Sequence, residues 1–258
     1  MTKMPVLFVG HGSPLNAIED NDYTETWREI AERIPKPKVI LSVSAHWYTR
    51  GTRINNAEKP KMVYDMYGFP KKLYEVEYNV AGSPDTAQRS KELISRETSF
   101  DVTWGTDHGT WSVLVHMYPD QDIPVFQISV DGEAPPETHY EIGRQLNSLR
   151  DQGVLIFGSG NVVHNLRMVD WDKGNVGFDW AYEFDEYVHQ NIIAKNHDPV
   201  LRFRELGDTA RLAVPTPDHF YPLLYTLGAS DQRDVVSVYN QSAEMGSLTM
   251  TSYLWEEE

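Results

Sequence analysis

The stretch Val154–Asn165, which reads VLIFGSGNVVHN, constrains the fold of this chain more than any other. Its first four residues form a short apolar run of the kind found in strands that are buried on both faces of a sheet. Gly158 and Gly160 then break the run with residues that tolerate unusual backbone angles. His164 follows the predicted strand, and ligands of open α/β sheets bind beyond the carboxyl ends of the strands. The stretch therefore predicts a buried strand that delivers a histidine to a functional edge.

Two earlier strands are predicted to deliver histidines in the same way. Residues 5–10 lead to His11 in the loop HGSP, and Val39–Ser44 leads to His46 in SAHW. Between them, the segment from Asn21 to Ile34 has apolar residues at helical spacing and ends before a Pro-Lys-Pro sequence. A strand–helix–strand order of this length is typical of two parallel strands that lie close in one sheet. If both histidines bind one ion, with bonds of about 2 Å, they must lie within roughly 8 Å of each other.

The rest of the chain continues the alternation of helices and strands, and neither a repeat nor a linker interrupts it. The predicted helices are Ser83-Pro84 to about Glu97, Glu137–Arg150, Trp180–Ile193 and Pro199–Leu206. The predicted strands are Val125–Val130, Val235–Tyr239 and Leu248–Trp255, and LYEVEYNV also shows strand-like alternation. This order predicts one α/β domain over residues 1–258. Its central sheet should be largely parallel or mixed, with helices on its faces and a metal site at the carboxyl ends of the strands.

Composition narrows the classes of function. The chain has no cysteine, so disulfides and thiolate metal sites are excluded, and any metal must be bound by His, Asp or Glu; the lack of cysteine also fits a cytoplasmic protein. With a net charge of −15, the surface should repel the phosphates of nucleic acids. No run of about 18 apolar residues is present to span a membrane, and the apolar run near the N-terminus is too short for a signal peptide.

Five of the nine histidines lie in short loops rich in Gly, Ser and Pro: His11, His46, His108, His164 and His219. A single such histidine is usually a packing residue, but five at one edge of a sheet indicate a metal site with spare imidazoles for proton transfer. The absence of the motif HExxH excludes a helix-borne protease zinc site. The other four histidines (His116, His139, His189 and His197) are expected at the surface or in packing. The aromatic residues beside the five loops, which could line a pocket for a flat substrate, are Trp47, Tyr48, Trp111, Phe220 and Tyr221.

The motifs HGSP, SAHW, DHGTW, GSGNVVHN and PTPDHFYPL, in this order, resemble those of the DODA-type extradiol aromatic ring-opening dioxygenases, the class III or LigB-like group. The resemblance covers essentially the whole chain. It implies an α/β enzyme that opens a catechol, with DOPA as the named substrate, to a muconic semialdehyde by means of O₂ and a non-haem metal. By resemblance, the metal ligands are His11, His46 and His219. His164 then matches the position of the acid/base residue, and His108 is a further active-site imidazole.

The third ligand leaves the identity of the metal open. The protocatechuate-type branch of the superfamily has a glutamate at the position of His219, and here Asp218 is only its neighbour. Three neutral imidazoles suit Zn²⁺ as well as Fe²⁺, so the resemblance implies one divalent ion of either kind. Zinc has no redox chemistry with which to activate O₂. Two alternatives therefore stay open, a zinc hydrolase with His164 as its base and a non-enzymatic binding protein of the same fold; the oligomeric state is also open.

Overall fold

The apolar runs form strands of one eight-stranded sheet. The structure is a computed structural model that describes residues 3–257, and the ends of the predicted domain, residues 1 and 258, lie outside this range. The strands of this sheet are β1 (Val6–Gly10), β2 (Val39–Thr49), β3 (Thr52–Ile54), β4 (Thr98–Phe100), β5 (Val125–Asp131), β6 (Val154–Gly160), β7 (Asp234–Tyr239) and β10 (Ser252–Glu257); β8 (Ala243–Glu244) and β9 (Leu248–Thr249) pair separately. Their order is β4-β3-β5-β2-β6-β1-β10-β7. The central strands β5, β2, β6 and β1 are parallel, whereas β10 and β3 join them antiparallel. The sheet is therefore mixed.

Helices cover both faces of this sheet. They are α1 (Asp22–Arg33), α2 (Pro84–Leu93), α3 (His108–Met117), α4 (Pro136–Leu146), α5 (Asp179–Ile193), α6 (Asp198–Leu201), α7 (Asp208–Ala213) and α8 (Tyr221–Ala229). Alternate residues of a strand point to opposite faces, so Val6 and Phe8 pack in one core with α4, α5 and α8, while Leu7 and Val9 pack in another with α1 and α3. This arrangement confirms the predicted fold class, an α/β domain with a mixed sheet between layers of helices.

The predicted strand in LYEVEYNV is wrong. Lys71–Glu75 forms a short 3-10 turn, and the following residues have no regular structure. Tyr78 and Val80 are buried in the core that contains α3, so the alternation of apolar residues is real. The segment reaches that core as an extended chain without the neighbouring strand that a ladder of hydrogen bonds requires.

Three other differences concern the surroundings of the histidines. β2 continues to Thr49, so His46 lies inside this strand and not in a loop, in a section where the register against β5 shifts. His108, predicted in a turn, is the first residue of α3. The predicted strand Leu248–Trp255 is divided between β9 and β10. None of the helices in residues 3–257 has the length and apolar character that crossing a membrane requires.

Candidate active site

Three imidazoles from distant parts of the chain meet at the carboxyl ends of the central strands. His11 directly follows β1, His46 lies in β2, and His219 precedes α8. One nitrogen of each ring lies within 4.8 Å of the others, and Nε2 of His11 is 3.1 Å from Nε2 of His46. Two nitrogens bound to one tetrahedral zinc ion, with bonds of about 2 Å, lie about 3.3 Å apart. The spacing of the three rings is therefore suited to one shared ion.

A serine on β6 orients the ring of His11. The hydroxyl of Ser159 donates to the carbonyl oxygen of Gly109 (2.5 Å) and lies 2.9 Å from Nδ1 of His11. The serine oxygen therefore accepts the Nδ1 proton, which leaves the Nε2 lone pair of His11 for a ligand. Gly109 is needed here because a Cβ at this position would lie 2.6 Å from Oγ of Ser44 and 2.8 Å from Cδ2 of His46.

Two carboxylates accompany the other two rings. Oδ2 of Asp65 lies 3.0 Å from Nδ1 of His46, and the Asp218 carboxylate accepts from Nδ1 of His219. Burial acts to raise the pKa of both carboxyls, but the histidines beside them outweigh it and hold both pKa values well below the usual range. Both carboxylates are therefore ionised at neutral pH. They favour a proton on Nδ1 of each ring and leave Nε2 free to bind a metal.

Asp65 also contacts His108. The backbone N–H of His108 donates to Oδ1 of Asp65 (3.0 Å), and Nδ1 of its ring lies 3.0 Å from Oδ2. This second contact is a close approach and not a well-aligned hydrogen bond, and the same oxygen also faces His46. The rings of His46 and His108 are 3.8 Å apart between centroids. One carboxylate thus joins two of the predicted site residues. The sequence does not identify Asp65 as a site residue, and its only signal is an acidic residue inside the aromatic stretch MVYDMYGFP.

His164 lies against His219 on the other side of the cluster. Its backbone N–H donates to the carbonyl of Ala213 (2.9 Å), and its ring stacks on that of His219 with centroids 3.4 Å apart and planes 5° from parallel. Burial, and then the neighbouring His219, lowers the pKa of His164 well below its usual value. The ring is therefore neutral at neutral pH, with one nitrogen unprotonated. A ring nitrogen of His164 also lies within 4.8 Å of ligand atoms of Asp218 and His219, so the geometry permits a ligand role too.

The protonation of the three central rings is consistent with metal binding. Burial, and then the neighbouring histidines, lowers the pKa of His11 well below its usual value, and burial lowers that of His219 to about 4. For His46, burial acts in the same direction, but Asp65 and Asp107 outweigh it and the pKa rises. Metal binding requires neutral imidazoles, so two of the three rings need lose no proton at neutral pH.

The remaining predicted residues divide between the pocket and the core. His139 is fully buried and packs its ring 4.3 Å from that of Tyr221, and none of the four other histidines belongs to a possible metal-binding group in the described part of the chain. Four of the five aromatic residues beside the loops are buried, whereas Tyr48 is 43% exposed. Tyr48 is therefore the aromatic residue of this set that a substrate can reach without displacing the core.

The family model of the catalytic LigB subunit of aromatic ring-opening dioxygenase matches residues 5–252. This chain belongs to the LigB family. It is 46% identical over 257 residues to the 4,5-DOPA dioxygenase extradiol of Escherichia coli (strain K12), a match that covers 97% of this chain and 94% of that protein. It is 35% identical over 255 residues to the protein of the same name from Beta vulgaris, with 95% and 94% covered. A crystal structure of an uncharacterized protein from E. coli K12 matches with a TM-score of 0.85 at 42% identity, over 98% of this chain and 99% of that one.

Membership of the LigB family confirms the resemblance read from the five motifs. Together with the named relatives, it also confirms the predicted enzyme class, an extradiol aromatic ring-opening dioxygenase. LigB dioxygenases use a non-haem metal, and the structure contains possible metal-binding groups made of histidines and aspartates. The roles of the individual histidines stay predictions.

Proposed function

We propose that this enzyme opens the ring of a catechol such as DOPA with O₂, next to one divalent metal held by His11, His46 and His219. The observation that carries the proposal is the arrangement of the three rings. Each Nδ1 faces an oxygen of Ser159, Asp65 or Asp218, and the Nε2 atoms of His11 and His46 lie 3.1 Å apart. The names of the relatives from E. coli and Beta vulgaris support DOPA as the substrate.

We propose Fe²⁺ as the active metal and Zn²⁺ as an inactive substitute. When bound, the metal supplies Lewis acidity toward the two catechol oxygens and, as Fe²⁺, the redox chemistry that O₂ requires. Three neutral imidazoles are compatible with either ion, so ligand type does not select between them. The choice of iron follows from the reaction, because Zn²⁺ has no accessible redox change.

His164 and His108 then act on the protons of the substrate. His164 is neutral and stacked on His219, so its ring is fixed beside the cluster and accepts a proton from a catechol hydroxyl. It returns that proton later in the reaction, as a general acid. Burial, and then His46, lowers the pKa of His108, whose Nδ1 faces Asp65. Its Nε2 lone pair therefore accepts a hydrogen bond from the diol and orients the ring.

The test is anaerobic reconstitution with Fe²⁺, followed by addition of O₂ and DOPA. We expect O₂ uptake and a yellow ring-opened product, with neither in a matched Zn²⁺-loaded sample. If protein with one iron per chain consumes no O₂ with any simple catechol, the proposal is wrong. Hydrolysis of an ester by the zinc-loaded protein would then favour the zinc hydrolase. If both the iron-loaded and the zinc-loaded protein are inactive, the result would favour the non-enzymatic binding protein. We also propose a cytoplasmic location, which the absence of cysteine supports.

A further inference from the structure

Arg204 is a cation without a carboxylate partner in a strongly acidic protein. The chain has a net charge of −15, and among residues 3–257 every arginine except Arg167 and Arg204 forms an ion pair with a carboxylate. Instead, Nη2 of Arg204 lies 3.4 Å from the hydroxyl of Tyr221, and its guanidinium lies 5.1 Å from the centre of the Phe203 ring. The guanidinium is held by aromatic side chains, and its positive charge is left available for an anion.

Arg204 lines a cavity of about 560 Å³. The cavity contains one carboxylate, Asp208, which is paired with Arg211, so Arg204 gives the lining a net positive charge. Val214, Pro215 and Pro217 form part of its wall. A cavity with a positive lining in a protein of this charge is suited to a small anion rather than to a cation.

The cavity adjoins the candidate active site through the backbone. The wall segment that ends at Pro217 leads directly to His219, and the residue before this segment, Ala213, accepts the hydrogen bond from the backbone of His164. Tyr221, the phenol beside Arg204, begins α8 two residues after His219. Tyr221, two residues from His219 in the chain and 3.4 Å from Arg204 through its hydroxyl, therefore connects the histidine cluster with Arg204.

We propose that Arg204 and the adjoining cavity bind the carboxylate of a catechol whose side chain is anionic, while the diol lies at the histidine cluster. This inference rests on the proposed ring-opening function. A guanidinium matches the two oxygens of a carboxylate with parallel N–H donors. One positive charge balances one negative charge, so a carboxylate fits better than a doubly charged phosphate next to Asp208 and Asp218. Arg204 is thus a residue that determines specificity and takes no part in ring opening.

The test compares two catechols that share the ring and differ in the carboxylate, hydrocaffeate and ethylcatechol. Their binding to the iron-loaded protein is measured by isothermal titration under anaerobic conditions, in which no turnover occurs. We expect wild type to bind hydrocaffeate more tightly, and Arg204→Gln to weaken this binding roughly 10- to 100-fold, the effect of losing a charge-assisted hydrogen bond. Ethylcatechol should bind equally well to both. Arg202→Gln is the matched control, because Arg202 is exposed, two residues away and paired with Glu205; both ligands should bind this variant as they bind wild type.

Three results would overturn the inference: no preference of wild type for hydrocaffeate, unchanged binding of hydrocaffeate to Arg204→Gln, or equal weakening of both ligands, which would mean a structural role. The binding measurement does not depend on ring opening. If the carboxylate preference is present and requires Arg204, yet the iron-loaded protein consumes no O₂ with hydrocaffeate, the subsite stands and the proposed reaction is wrong. If O₂ is consumed but the preference is absent, the reaction stands and the subsite is wrong.

Discussion

Replacing Asp65 by asparagine tests whether one carboxylate orients two histidines of the site. Its Oδ2 lies 3.0 Å from Nδ1 of both His46 and His108, and its Oδ1 accepts the backbone N–H of His108. Asparagine has nearly the same size and keeps one acceptor oxygen, but it loses the negative charge and presents an N–H₂ group to one of its partners. At least one of the rings is then free to turn or to move its proton to Nε2.

The expected loss follows from the position of Asp65 behind a proposed ligand. Removing a carboxylate that orients a metal-binding histidine typically costs 10- to 100-fold in metal affinity or activity. We therefore expect the dissociation constant for Zn²⁺ to rise by roughly 10- to 100-fold, which corresponds to about 1.4 to 2.8 kcal/mol. Competition with a chromophoric chelator measures this constant without any turnover. Turnover of a catechol by the iron-loaded variant should also fall, because His108 loses the carboxylate that faces its Nδ1.

Two comparisons separate orientation of the rings from general damage. Asp122→Asn removes an exposed carboxylate that is paired with Lys36 and should leave the metal affinity unchanged. The metal-free Asp65→Asn protein should show the near-UV circular dichroism of wild type, since the substitution is nearly isosteric. Wild-type metal affinity in a folded Asp65→Asn protein would refute the role given to Asp65. Loss of the native spectrum without metal would mean that Asp65 supports the fold and not the ligands.

Three further predictions concern the ligands, the acid/base residue and a buried carboxyl outside the histidine cluster. His219→Ala should reduce the metal content measured by mass spectrometry well below one ion per chain, while His197→Ala should not; full occupancy in His219→Ala would make another residue the third ligand. His164→Gln should keep its metal but turn over a catechol roughly 10²- to 10⁴-fold more slowly, the usual range for one acid/base group; loss of metal would make His164 a fourth ligand. Burial raises the pKa of Asp185 from its ordinary value of 3.8 to about 6, so wild type should lose about 3 kcal/mol of stability as the pH rises through this window, at 1.36 kcal/mol per unit. In denaturant titrations, the stability of Asp185→Asn relative to wild type should therefore rise between pH 4 and 6, and a constant difference would contradict the cause given.

The central strands could be predicted from the sequence because each of them contains a contiguous run of apolar residues. β1 and β6 are apolar runs buried at every position, and such runs have few alternatives in a protein of this size. The edge strands β3 and β4 have three residues each and carry no periodic signal. They form because β5 offers β3 an unpaired edge and β3 then offers one to β4. That information lies in the tertiary arrangement and not in the segments themselves.

The same distinction explains which parts of the candidate site the sequence could predict. His11 and His164 follow strands at the functional edge of the sheet, so their position along the chain was enough to indicate their position in space. Asp65 lies in a segment without regular structure, and its contact with His108 spans 43 residues. Ser159 lies between the two glycines that break the apolar run, and nothing in the sequence indicates that its hydroxyl orients His11. Residues behind the ligands are placed by the packed structure, and a pattern of ligand types does not show them.

The carboxylates of Asp65 and Asp218 change the electrostatics of a site made of three histidines. Three neutral imidazoles alone would leave a divalent ion with its full double charge, unlike a site with two histidines and a carboxylate. Asp65 and Asp218 are both ionised and lie against the Nδ1 atoms of His46 and His219. If His46 and His219 bind the proposed metal, these carboxylates would place two negative charges one imidazole ring away from it and would raise the basicity of both ligands without occupying a coordination position. The compensation that a carboxylate ligand gives directly would then be supplied through the histidines, and the proposed metal would keep open positions for a diol and O₂.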